Sequence, residues 1–117
     1  MTNLSDYRGQ KSFEIPETMK AITLSGVGFE NLSLSEVPVP VTGPRQLLCR
    51  VDAAGVCTSL LKIISQGPKH SLINGWDLEK YPIILGDEGS LTVVKVGSGL
   101  KDSFRPGQRF AVQPAVD

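Results

Sequence analysis

The chain has few of the residues that staple or anchor small domains. Its 117 residues include two cysteines, Cys49 and Cys57, and one histidine, His70. Two thiols without a secretion-type apolar stretch near Met1 point to a reducing, cytoplasmic setting. In that setting they are read as free thiols or a ligand, not as a disulfide. No run approaches the roughly 18 apolar residues of a membrane-spanning helix, so no membrane partner is expected. Neither sign of charge prevails, with 12 Lys plus Arg against 12 Asp plus Glu. A nucleic-acid binder would show a clustered basic excess, so no nucleic-acid partner is expected. There is no Gly-x-Gly-x-x-Gly turn to hold a dinucleotide pyrophosphate. Gly97-Ser-Gly does not supply one, because no helical pattern follows it.

What is present suits one domain. Hydrophobic residues make up 40% and charged residues 21% of the chain, a globular balance at a length that can build a core. Residues 1–18 are polar, end near Pro16, and read as a leader that is draped or disordered. Residues 19–117 form the domain. Polar and apolar residues alternate from Lys20 to Ser25 and from Asn31 to Val37, where Leu32 and Leu34 share a face, as in half-buried strands. Val37-Pro-Val-Pro cannot lie in a central strand, because proline offers no ladder N–H. Further strands are expected over Gln46–Gly55, Ser90–Gly97 and Arg109–Pro114, with glycine- and proline-marked turns between them. One short helix is expected from Ser59 to Gly67, capped by Thr58 or Ser59, with Leu60, Leu61, Ile63 and Ile64 on its buried face. The loop 67–81 is long for a compact domain. The fold class is mostly β, a partly open barrel with one or two short helices.

Two segments can carry chemistry. Gly55-Val-Cys-Thr-Ser59 places Cys57 where a strand gives way to a helix, and a helix N-terminus favours a thiolate, the form that binds metal. Ser59 offers a hydroxyl beside whatever Cys57 holds. Pro82-Ile-Ile-Leu-Gly-Asp-Glu-Gly89 places two adjacent carboxylates after an apolar run, where burial would call for a partner such as a divalent cation. Each segment alone also fits an incidental cysteine and a solvated turn. Cys49, inside a strand, is read as a small core hydrophobe.

Taken in order, Gly-Val-Cys-x-Ser, the Pro-led run into Gly-x-Glu-Gly, Val-Val-Lys-Val-Gly and Phe-Arg-Pro-Gly-Gln-Arg-Phe-Ala-Val resemble the GroES-like domain of the zinc-dependent medium-chain alcohol and polyol dehydrogenases. The likeness extends over residues 19–117 and leans toward the sorbitol and sorbose-1-phosphate side of the family. By that resemblance Cys57 matches a catalytic-zinc ligand and Ser59 the hydroxyl that relays the substrate proton. Asp87 stands where the family has a histidine ligand. Glu88 matches the glutamate behind the metal, which can approach it during ligand exchange. Leu60 replaces the aspartate that hydrogen-bonds the histidine ligand, and the two departures fit each other, since an aspartate ligand has no ring N–H to orient. Lys62 and His70 are candidates for contact with a polar or phosphorylated substrate, against the plainer reading of a solvated helix residue and a loop histidine. Trp76 most simply anchors its loop.

The resemblance implies Zn2+ held by Cys57, Asp87 and Glu88, with NAD(P) bound by a Rossmann domain absent from these 117 residues. The substrate it implies is a small-molecule alcohol or polyol. This chain is then the substrate- and zinc-binding part of an oxidoreductase and is not expected to be active alone. Homo-oligomer formation is left open. Two rival readings stand beside it: a zinc-free, quinone-reductase-like member in which Cys57 is a relic, and a non-catalytic GroES-like module for binding or assembly.

Overall fold

The alternation that begins at Lys20 becomes a paired strand. The computed structural model describes residues 13–113. These contain Thr18–Leu24 (β1), Leu32–Pro38 (β2), Leu47–Gly55 (β3), Thr58–Gln66 (α1), Ile83–Ile84 (β4), Asp87–Val96 (β5) and Arg109–Ala111 (β6). Short 3₁₀ turns lie at Phe29–Asn31, Gly67–Lys69 and Ser71–Ile73. One α-helix among two sheets bears out the mostly-β class. No described helix is long and apolar enough to cross a membrane. The leader expected over residues 1–18 lies outside the described residues as far as residue 12. Residues 13–16 have no regular structure, Glu17 is a bend, and β1 already starts at Thr18.

The chain divides into two compact units. The first comprises Thr18–Pro38 and Gly55–Asp87. Its sheet has the order β2-β1-β4, with β1 and β2 antiparallel from Thr18 opposite Pro38 to Leu24 opposite Leu32. Pro38 therefore ends an edge strand, where its missing N–H breaks no interior ladder. Leu24 is fully buried and faces Leu32 on one side and Ile83 on the other. It joins Ile63 and Ile64 of α1 and Leu78 of the following loop in one apolar cluster. The turn between β1 and β2 closes onto the end of α1, where Gly28 N–H donates to the Ile64 carbonyl at 2.8 Å. Gly67 stops the helix at φ 56, and a Cβ there would collide with Val27, so both the dihedral and the approach require glycine.

Two packing expectations need correction. Leu34 shares a strand face with Leu32 but is 68% exposed, because it lies across from Ile22, itself exposed, beyond the end of the cluster. Leu61 is also exposed, so α1 buries Ile63 and Ile64 and packs Leu60 only in part. A nine-residue helix is too short to turn four apolar positions onto one core.

The second unit comprises residues 13–17, 39–54 and 88–113. Its sheet order is β3-β5-β6, and β6 pairs with β5 from Ser90 opposite Ala111 to Thr92 opposite Arg109. The strand expected to run to Pro114 ends at Ala111, and Pro114 lies outside the described residues. β5 starts three residues earlier than expected, at Asp87. Val93 is fully buried beside Thr92, and Thr92 Oγ1 donates to Asp52 Oδ2. Asp52 also accepts from Arg50 Nε at 2.9 Å, and its side chain is only 2% exposed. The Arg50 guanidinium lies 5.5 Å from the centre of the Phe13 ring. Gly97 sits against the carbonyls of Gly43, Pro44 and Gln46, leaving no room for a Cβ.

Candidate functional site

The site begins where β3 ends. Cys57 is the N-cap of α1, with extended backbone at φ −102 and ψ 152. Its carbonyl accepts the first helical bond, from Leu60 N–H at 3.0 Å. Thr58 and Ser59 are already helical, so neither is the cap as expected. The thiol sits at the positive end of the helix. The Ser59 hydroxyl, then the Ser59 backbone N–H, hold the Cys57 thiol below its ordinary value, with the Thr58 hydroxyl helping less. Burial and the negative charge of Asp87 work the other way and are outweighed. Cys57 is thus biased toward thiolate while partly open to solvent. Cys49 is the opposite case, since burial pushes its thiol up, as suits an unreactive structural cysteine.

The carboxylates are reached from a different strand, β4. β4 lies along β1, with Leu85 N–H donating to the Ile22 carbonyl at 3.0 Å, and Gly86 and Asp87 follow directly. This places Asp87 in the same unit as Cys57, near enough for its charge to act on the thiol. Asp87 is half-buried, whereas Glu88 is exposed, so of the two carboxylates only Asp87 has the burial considered from the sequence. Glu88 is unusual in another way. Its φ of 44 is the one positive value outside glycine among the described residues, in a region that costs an L-residue about 1–2 kcal/mol.

The remaining candidates are placed apart from this group. Lys62 is exposed on α1. His70 uses Nδ1 to accept from Leu72 N–H at 3.2 Å and so caps the turn Ser71–Ile73. Trp76 anchors its loop, donating from Nε1 to the Tyr81 carbonyl at 2.8 Å with the two rings 5.8 Å apart. A shallow cavity of about 350 Å³ beside Pro40, Val41 and Gln46 contains none of the nominated residues. The sequence reading passed over two roles. One is the support Thr58 gives Cys57. The other is the Asp52–Thr92–Arg50 network, whose sequence signal is the charged pair Arg50 and Asp52 inside a strand otherwise built of apolar and small residues.

Comparison with known proteins identifies the family. Residues 43–117 match the model of the alcohol dehydrogenase GroES-like domain. A sorbitol dehydrogenase of Bombyx mori is 36% identical over 87 residues, covering 74% of this chain and 23% of that protein. A mannitol-1-phosphate 5-dehydrogenase of Aliivibrio fischeri is 32% identical over 89 residues, 76% of this chain and 21% of that one. A solved chain from Sinorhizobium meliloti, described as a zinc-binding dehydrogenase bound to NADP, superposes with a TM-score of 0.64 at 33% identity, over 80% of this chain and 24% of that one. The chain belongs to the family of the alcohol dehydrogenase GroES-like domain. It spans about a quarter of the length of these relatives.

Proposed function

We propose that this chain is the substrate- and zinc-binding domain of an NAD(P)-dependent alcohol or polyol oxidoreductase. The observation that carries the reading is the Cys57 group, a thiol biased toward thiolate by Ser59 and Thr58, with the Asp87 carboxylate acting on it. Thiolate sulfur and carboxylate oxygen are both zinc donors, and a cation would relieve the repulsion between their two negative charges. Among the described residues no three such side chains stand together. Cys57 and Asp87 therefore fit as two donors, while a catalytic zinc takes three protein ligands. The third comes from outside the described residues. Glu88, the next residue after Asp87, would be a further carboxylate available to the metal.

When bound, zinc supplies a Lewis acid that lowers the pKa of the substrate hydroxyl. In this reading Cys57 and Asp87 would hold the metal, and the Ser59 hydroxyl would accept the substrate proton and pass it outward. NAD(P), which would be held by a Rossmann domain outside these residues, would supply the hydride acceptor. Leu60, with no carboxylate, leaves Asp87 without a like-charged neighbour on α1. Lys62 and His70 serve as outer contacts for a polar substrate, His70 through Nε2 because Nδ1 is engaged. The working compartment is the cytoplasm, where both thiols stay reduced.

Equilibrium dialysis against zinc tests the reading. One equivalent bound by the wild-type chain, and lost in both Cys57→Ala and Asp87→Asn, supports it. Equal zinc uptake by all three proteins removes it. The small donor set also favours a second reading, a zinc-free reductase of the same fold, and dialysis separates the two, because that protein binds no stoichiometric zinc at Cys57.

A further inference from the structure

His70 is the single histidine of the chain, and its ring is part of the backbone architecture. It starts the 3₁₀ turn Ser71–Ile73, with Nδ1 accepting from Leu72 N–H at 3.2 Å while its carbonyl accepts from Ile73 N–H at 3.2 Å. A ring nitrogen that accepts a hydrogen bond carries no proton, so the neutral ring here is the Nε2–H tautomer. Adding a second proton puts an N–H on Nδ1, facing the Leu72 N–H, and the cap becomes a donor–donor clash.

We infer that the turn Ser71–Ile73 is a pH-sensitive latch, closed by the neutral imidazole of His70 and opened when that ring gains its second proton. The surroundings keep the response local. Past the turn, Trp76 N–H bonds the Ile73 carbonyl at 3.0 Å and Gly75 N–H bonds the Pro68 carbonyl at 3.2 Å. Leu78, buried at 3% exposure, pins the far end of the loop into the apolar cluster. Opening therefore frees the Leu72 segment, whose side chain is already 72% exposed, and leaves the loop attached. The charged groups on the neighbouring elements are Lys62 on α1, Lys69 on the preceding turn, and Asp77, Glu79 and Lys80 on the segment that follows. Among the described residues the ion pair found is Arg50–Asp52, away from the imidazole. Imidazole changes charge between pH 5 and 8, within the physiological range. The latch lies at the opposite end of α1 from Cys57, and it acts on the loop without altering the thiol group.

Nuclear magnetic resonance of the ¹⁵N-labelled 117-residue chain tests this. At pH 8 the ring nitrogen shifts should report the Nε2–H tautomer. Between pH 8 and pH 5 the protection factor of the Leu72 amide should fall roughly threefold to tenfold, the loss of one exposed hydrogen bond, while the Val93 amide stays constant. His70→Asn keeps a side-chain acceptor at the cap and should protect Leu72 equally at both pH values. His70→Ala should leave it unprotected at both. An Nδ1–H ring at pH 8, or Leu72 protection that stays flat while the ring titrates, would overturn the inference. So would a His70→Asn protein that keeps the wild-type pH dependence.

Discussion

The two units hold themselves together by different means. The unit of Thr18–Pro38 and Gly55–Asp87 has an apolar centre, where Leu24, Ile63, Ile64 and Leu78 exclude water around one helix and one short sheet. The other has a polar bolt at its centre, with a buried carboxylate, Asp52, tied to Thr92 and Arg50 beside Val93. Non-directional burial tolerates small shifts of its members, whereas a buried carboxylate fixes distance and direction and is costly when one partner is lost. The Cys57 group is found in the apolar unit, where a nine-residue helix depends on packing and not on its own length for stability. Glu88, with its positive φ, opens the polar unit.

This contrast is best broken at Leu24. Leu24→Ala removes the fully buried centre of the apolar unit and should cost about 3–4 kcal/mol in denaturant unfolding. Amide protection should fall in α1 before it falls in β5. A smaller effect, about 2 kcal/mol, is expected from Thr92→Val, which keeps the shape but leaves Asp52 one donor short. Loss of protection should then begin in β3 and β5, reversing the order seen for Leu24→Ala. If both variants melt the same element first, the two-centre description fails.

Acid sharpens the comparison, because only one unit relies on a buried charge. Burial pushes the Asp52 carboxyl up. The Thr92 hydroxyl, the Arg50 side chain and the charge of Arg109 outweigh it and leave the group below the ordinary carboxylate value. A depressed carboxylate stabilises the fold fully above its unfolded value, about 4, and that contribution disappears as pH falls through the folded value. Unfolding followed from pH 6 to pH 3 should show this loss in the wild type, and Asp52→Asn should flatten that part of the curve. The smallest effect is a gain. Glu88→Gly should stabilise the chain by about 1 kcal/mol in thermal melts, since glycine accepts a φ of 44 without strain.

Much of this was legible in the sequence. Alternation marked β1 and β2, Gly67 marked the end of α1, and the ordered segments around Cys57 and Gly86 marked the family. Local pattern could not say that Leu34 and Leu61 would stay exposed, because burial depends on where a short element ends relative to its neighbours. It also placed the helix cap one or two residues late, since Thr58 and Ser59 are better cap formers than cysteine but lie inside the helical turn. The Asp52–Thr92 bond joins residues 40 apart in the chain, and the contact made by His70 Nδ1 depends on a rotamer. Neither is written in residue order.

The proposal that Cys57 and Asp87 form the metal-facing half of the site is tested most directly by titrating the chain with Co2+, a coloured substitute for zinc. The account predicts a thiolate-to-cobalt charge-transfer band in the wild type, abolished in Cys57→Ser and weakened in Asp87→Asn. An absent band, or one that is the same in all three proteins, would contradict it.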